Sequence, residues 1–242
     1  MKPVDIPSEP REKSRYVQSL FDSIAGTYDL LNSLLSFHID SLWRKRTVKL
    51  ANVPQGGTVL DLCTGTGKLA FDFARYSLAG NVIGTDFSPV MIETAHKLLQ
   101  RHPQKTKVEF HTGDALDIHY PDNQFDAVTC AFGLRNLVDS DQYFRETYRV
   151  TKPGGKILTL ELTRPANPLM KIIYYPYLKI YLPIMGRLVS GHGAAYDYLA
   201  QTISEFTSPE VLAEKMRLAG WKDVQIIPLT GGISTLLMGT KP

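Results

Sequence analysis

Cysteine is scarce in this chain: there are two among 242 residues, Cys63 and Cys130, both inside apolar runs that read as strands. That excludes a disulfide-built scaffold and predicts reduced core residues in a cytoplasmic protein. Long hydrophobic runs are missing too. None reaches the roughly 18–20 residues of a membrane-spanning helix, and no signal peptide is expected. The six histidines show no metal-ligand spacing, so no metal is expected. Repeats and low-complexity tracts are absent. Charge of one sign is not in excess; a net charge of +3 gives no reason to expect nucleic acid as a partner. What is there, 43% hydrophobic and 21% charged residues, is the composition of a soluble globular protein long enough for a full core.

The chain is organised around Val59-Leu60-Asp61-Leu62-Cys63-Thr64-Gly65-Thr66-Gly67. An apolar run, read as a buried strand, ends on an acid, turns through glycines and restarts as a helix from Lys68 to Ala74. Glycines let the backbone turn tightly and approach a ligand closely. The amides opening the next helix present donors and a positive dipole end to an anion. A second acid, Asp86, closes the run Asn81–Asp86, where a strand-tip carboxylate can take both hydroxyls of a ribose. The stretch therefore indicates a nucleoside cofactor, and two compete. Gly65-Thr66-Gly67-Lys68-Leu69-Ala70 fits the dinucleotide pattern G-x-G-x-x-G/A. Against it, Asp61 would repel a pyrophosphate, whereas S-adenosylmethionine offers an ammonium to that acid and a carboxylate to the helix amides. S-adenosylmethionine is the preferred reading. A dinucleotide oxidoreductase and a noncatalytic cofactor-binding module stand as alternatives.

Residues 1–12, with Pro3, Pro7 and Pro10, read as a loose tail, and residues 13–242 as one domain. A helical segment spans 14–50, with a break near Ser36-Phe37-His38. After the glycine turn, strands and helices alternate, the pattern of a doubly wound parallel sheet. Ser88-Pro89 opens a helix as cap and first residue. Strands are expected over Val108–Phe110, Phe125–Ala131 and Lys156–Leu162, with a helix over roughly 139–150. Ligands of such sheets bind outside the carboxyl ends of strands at the order switch, and Asp61, Asp86, Asp114 and Arg135 all fall there. Residues 164–206 break the alternation with Pro165, Pro168, Pro176 and Pro183, predicting a cap of short helices. Its Tyr174, Tyr175, Tyr177 and Tyr181 are candidates either for core or for an apolar channel. Lys171, Lys179 and Arg187 are placed to snorkel toward headgroups. A final strand pair is expected as a hairpin added antiparallel at the sheet edge.

The sequence resembles the ubiquinone/menaquinone biosynthesis C-methyltransferases from about Phe21 to the last strand. The resemblance is carried by Tyr28-Asp29-Leu30-Leu31-Asn32 with Ser36, His38 and Trp43; by the Asp61–Gly67 turn; by Phe132-Gly133-Leu134-Arg135-Asn136; by Arg149-Val150-Thr151-Lys152-Pro153-Gly154-Gly155; and by Tyr196-Asp197-Tyr198-Leu199 followed by Ser204 and Phe206. It implies an α/β class I S-adenosylmethionine-dependent methyltransferase fold, Rossmann-like, with a mostly parallel seven-stranded sheet. The implied activity is C-methylation of a reduced prenylated quinone precursor, demethylmenaquinol to menaquinol. The alternative substrate is the 2-polyprenyl-6-methoxy-1,4-benzoquinol precursor. Cofactor contacts are assigned to Tyr28, Asp61, Gly65, Thr66, Gly67, Asp86, Asp114 and Ala115. Substrate contacts are assigned to Asn32, Asn136, Tyr174, Tyr177 and Tyr181. An oxidised ring will not attack a methyl group, so a quinol needs help in losing its proton; arginine is a poor base, so Arg135 is assigned to phenolate stabilisation or to orienting a water, and the proton acceptor is left open. His38 reads either as a base or as a helix-start residue bonded to backbone. Transient contact with a membrane surface at its inner face is expected, and a homodimer is left open.

Overall fold

The computed structural model describes residues 4–26, 29, 33, 36–165, 167–177 and 193–242. Seven strands form one sheet: β1 (Thr58–Leu62), β2 (Asn81–Asp86), β3 (Val108–Thr112), β4 (Phe125–Ala131), β5 (Thr151–Leu162), β6 (Lys222–Leu229) and β7 (Ser234–Thr240). Their order is β3-β2-β1-β4-β5-β7-β6. The first five are mutually parallel, and β7 runs antiparallel to both β5 and β6. The closing hairpin is thus at the edge, with β7 rather than β6 against the parallel strands. The order switches between β1 and β4, whose register aligns Leu62 with Cys130. That is the crevice where this class of sheet binds ligands.

The helices are α1 (Pro10–Ile24), α2 (Ile39–Ala51), α3 (Lys68–Tyr76), α4 (Pro89–Leu99), α5 (Ser140–Val150), α6 (Pro168–Pro176), α7 (Gly193–Glu205) and α8 (Pro209–Leu218). Their starts follow local chemistry. Ser88 accepts the Met91 amide at 3.1 Å ahead of Pro89, and Asp139 accepts the Asp141 and Gln142 amides at 2.9 Å. The expected loose tail is shorter than read. Glu9 accepts the Glu12 amide at 2.9 Å and Pro10 fills the first turn, so α1 begins there. Upstream, the Val4 amide donates to Gln201 at 2.8 Å. The break before α2 falls at Phe37 and His38, both in left-handed backbone.

Alternation along β1 divides the core. Val59 packs with Phe73, Val82 and Leu158 on one face, while Leu60 and Leu62 pack with Val128, Ile157 and Trp221 on the other. Asp61 falls on the Val59 face but at the carboxyl end of the strand, under the cavity described below. A third, smaller core joins α1 to the cap: Ile24 packs with Tyr174, Ala200 and Ile203. α6 and α7 fall in the stretch 164–206 read from sequence as a cap, of which residues 178–192 lie outside the described residues.

Candidate active site

The β1–α3 turn is built before any ligand arrives. Gly65 and Gly67 have φ of 57° and 88°, values that favour glycine. A Cβ on Gly67 would also collide with the Phe110 ring of β3. The Gly67 amide donates to the Thr64 carbonyl at 2.9 Å, and the Gly65 amide donates to Asp86 Oδ2 at 2.8 Å. The other Asp86 oxygen accepts the Ser88 amide at 2.9 Å. Below the turn Asp61 is fully buried and accepts the Thr64 and Thr129 hydroxyls at 2.6 and 2.8 Å. Burial pushes its carboxyl up to about 7, despite those bonds.

Two adjoining cavities open over this crevice. The smaller, about 110 Å³, is lined by Asp86, Met91, Asp114, Ala115, Leu116 and Leu137 among others. The larger, about 300 Å³, runs from Asp61, Thr64 and Thr66 past Trp43 and Phe132 to Arg135, Tyr174, Tyr177 and Tyr198. Phe21, Cys63, Gly65, Ala131 and Phe132 line both, so the two adjoin at the turn. Asp114 accepts the Leu116 amide at 2.8 Å, the local turn a Gly-Asp-Ala run favours.

At the far end of the larger cavity, Arg135 is buried in the short helical turn Leu134–Asn136 after β4. Its guanidinium pairs with buried Glu161 of β5 and donates to the Phe132 carbonyl at 2.7 Å. Its backbone amide donates to the same glutamate at 3.2 Å. This is a buried ion pair on a cavity wall. The Tyr174 ring stacks on Tyr177 at 6.1 Å, and the Tyr198 hydroxyl donates to Asn136 at 3.0 Å. Burial pushes the Tyr198 phenol up to about 12 and raises that of Tyr174 as well, so both stay protonated near neutrality.

The model of the ubiE/COQ5 methyltransferase family matches residues 10–241. The chain belongs to that family. Among similar proteins, the demethylmenaquinone methyltransferase of Desulfitobacterium hafniense is 36% identical, covering 96% of this chain and 92% of that one. That of Deinococcus radiodurans is 39% identical, covering 96% and 95%. The ubiquinone/menaquinone biosynthesis C-methyltransferase UbiE of Hahella chejuensis is 38% identical, covering 95% and 93%. Solved structures share the fold. A putative S-adenosyl-L-methionine-dependent methyltransferase from Methanococcus maripaludis superposes with a TM-score of 0.66 at 19% identity, covering 91% and 94%. One from Aquifex aeolicus gives 0.60 at 18%, covering 82% and 89%.

As a member of this family the protein is a methyltransferase and its cofactor is S-adenosylmethionine. The donor set fits that cofactor. Among the described residues, the lining of the smaller cavity carries two carboxylates, Asp86 and Asp114, and no basic side chain. A cationic sulfonium with a ribose is compatible with that lining. It is the family match, not the turn pattern, that separates the methyl donor from a dinucleotide.

Of the family residues singled out in the sequence, Asp61, Gly65, Thr66, Asp86, Asp114 and Ala115 surround the two cavities. Gly67 does not; it lines neither, and its role is the turn and the close approach to Phe110. The Gly65 and Gly67 amides are both bonded within the protein, to Asp86 and to the Thr64 carbonyl. Asn136 lines the smaller cavity rather than the larger one assigned to the substrate. His38 is exposed and lines neither, which removes it as a base. Tyr174 turns out to serve both readings, being part of the cap core and of the cavity wall. Tyr28, Asn32 and Tyr181 lie outside the described residues.

Several residues in or just behind the cavity walls were given no role from sequence. Glu161 was hidden within an apolar strand run, and an acid in such a run is itself the signal. Asp29 accepts the Thr66 hydroxyl at 2.7 Å, and its carbonyl accepts from Lys68 at 3.1 Å, tying the N-terminal segment to the glycine turn. On the cavity wall, Arg44 bonds Asp40 at 2.5 Å and Asp72 at 2.8 Å. Burial opposes ionisation of Asp40, yet Arg44 and Ser36 hold its carboxyl below the ordinary range. The i,i+4 spacing of Asp40 and Arg44 was a readable cue.

Proposed function

We propose that the protein methylates a ring carbon of demethylmenaquinol, with the quinol lying in the larger cavity. The carrying observation is that the two cavities adjoin, sharing Cys63, Gly65, Ala131 and Phe132 in their walls, and that Arg135 lines the larger one. Bound S-adenosylmethionine supplies an electrophilic methyl group. Asp86 and Asp114 hold its nucleoside end in the smaller cavity, and Asp61 faces its ammonium. Trp43, Phe132, Tyr174 and Tyr177 take the apolar ring and the first part of the tail. One quinol hydroxyl gives its proton to solvent, and the preorganised Arg135 guanidinium stabilises the phenolate so formed; once the carbon has taken the methyl group, the hydrogen on that carbon moves off as a proton to the ring oxygen and the quinol is restored.

The prenyl tail leaves toward α6. That helix exposes Leu169 and Ile172 at 68% and 69%, beside exposed Lys171, and Phe37 stands 63% exposed against Tyr177. No helix among the described residues is long and apolar enough to cross a membrane. We assign this rim to reversible contact with a bilayer surface, from which the substrate enters. The test is turnover of labelled S-adenosylmethionine with reduced naphthoquinol and reduced benzoquinol precursors. Methylation of the former carries the proposal; methylation of the latter alone transfers it to ubiquinone synthesis. Methylation of neither overturns it.

A further inference from the structure

Glu161 lines neither cavity, so it does not reach the substrate, yet it makes more bonds to Arg135 than any other described residue. One carboxylate oxygen accepts the Arg135 backbone amide. The other pairs with Nη1 and also accepts the Leu162 amide at 2.8 Å. The side chains of the pair are 5% and 3% exposed. Such a carboxylate fixes both the turn that carries the arginine and the direction of its guanidinium. It also makes an ionised guanidinium tolerable where water is scarce. The phenols of Tyr174 and Tyr198 on this cavity wall register both charges: beyond the effect of burial, Arg135 favours and Glu161 opposes their ionisation.

Resting on the quinol reading above, we propose that Glu161 is the positioning residue of the reaction, acting through Arg135. Strand register explains why it can do so. β4 and β5 are parallel neighbours with Ala131 aligned to Leu160, which sets Glu161 beside the chain leaving β4. A guanidinium whose direction is set by a buried acid is preorganised for the negative charge that the ring oxygen carries once its proton leaves. With that acid's charge gone the guanidinium keeps its bond to the Phe132 carbonyl but shifts in direction, and misplacement by about 1 Å costs roughly 10²-fold in rate.

The test is a double-mutant cycle read as single-turnover rate, with melting temperature, cofactor affinity and quinol KM measured on each variant. Glu161→Gln keeps an oxygen acceptor and removes the charge; about 10–100-fold loss of rate is expected, with cofactor affinity and KM near wild type. Combined with Arg135→Ala it should cost nothing further, because its effect passes through the arginine. Glu161→Asp should recover part of the rate, and it carries the same cycle should Glu161→Gln fail to fold. Spectrophotometric titration of tyrosine in Glu161→Gln should show phenols ionising at lower pH than in wild type. Full rate per folded Glu161→Gln molecule, or losses that multiply in the double variant, overturns the inference. Absence of wild-type turnover overturns the quinol reading instead.

Discussion

The Asp86 carboxylate accepts the Gly65 amide at 2.8 Å, so the tip of the second strand clamps the glycine turn of the first. The acid assigned to the ribose therefore also builds the pocket. Each of its oxygens has one backbone donor and capacity for a hydroxyl besides.

Two charge-assisted bonds to a ribose are worth roughly 1.5–3 kcal/mol each. Asp86→Ala should weaken S-adenosylmethionine binding by about 10²–10⁴-fold and also lower the melting temperature, since two amides lose their acceptor. Calorimetry on the variant tests the first effect. Unchanged affinity removes Asp86 from the cofactor site.

Asp61 links cofactor binding to pH. Its carboxyl titrates near 7 in the cofactor-free protein, and only the ionised form attracts an ammonium. Affinity should be flat above pH 7 and fall about tenfold per unit below it. Stability runs the other way. The folded value lies above the unfolded one of about 4, so the contribution of Asp61 is full in acid and is lost as pH rises from about 4 to about 7. In Asp61→Asn both dependences should vanish. The melting temperature of the variant relative to wild type should then climb over that window. Affinity that ignores pH in wild type counts against an ionised contact.

Arg135→Ala should lose roughly 10²–10³-fold in turnover while cofactor affinity holds. Arg135→Lys should recover only part, because an ammonium on a flexible stem cannot match the planar fork held by Glu161 and the Phe132 carbonyl. A purely structural pair predicts a drop in melting temperature with turnover per folded molecule intact. Stability and single-turnover rate on the same samples separate the two.

Leu169→Glu with Ile172→Glu should reduce binding to liposomes by about tenfold or more, since each side chain fully buried in lipid is worth roughly 1.5–3 kcal/mol. Turnover of a tailless quinol should be unaffected and that of a prenylated one in vesicles should fall. Equal liposome sedimentation of variant and wild type would refute the assigned rim.

Much of this was legible before any coordinates. The apolar strand runs, the Ser88-Pro89 cap, the glycine turn and the acids at strand tips are signals read within a few residues of one another, and the alternating sheet follows from them. Asp61, Asp86, Asp114 and Arg135 were singled out because each falls at or just past a strand end, a position the local pattern reveals. What was hidden is long-range. Arg135 and Glu161 are 26 positions apart, and Thr66 and Asp29 are 37 apart. Nothing local selects those pairs; strand order, register and the return of the N-terminal segment over the turn bring them together. The sequence by itself determined the fold, the cofactor class and the strand-tip acids, because these rest on local propensity and hydrophobic period. The tertiary structure alone decided that Asp61 is buried enough to titrate near 7, that Gly67 serves packing, and that Arg135 is aimed by a glutamate, because desolvation and ion pairing depend on neighbours that only the closed fold supplies.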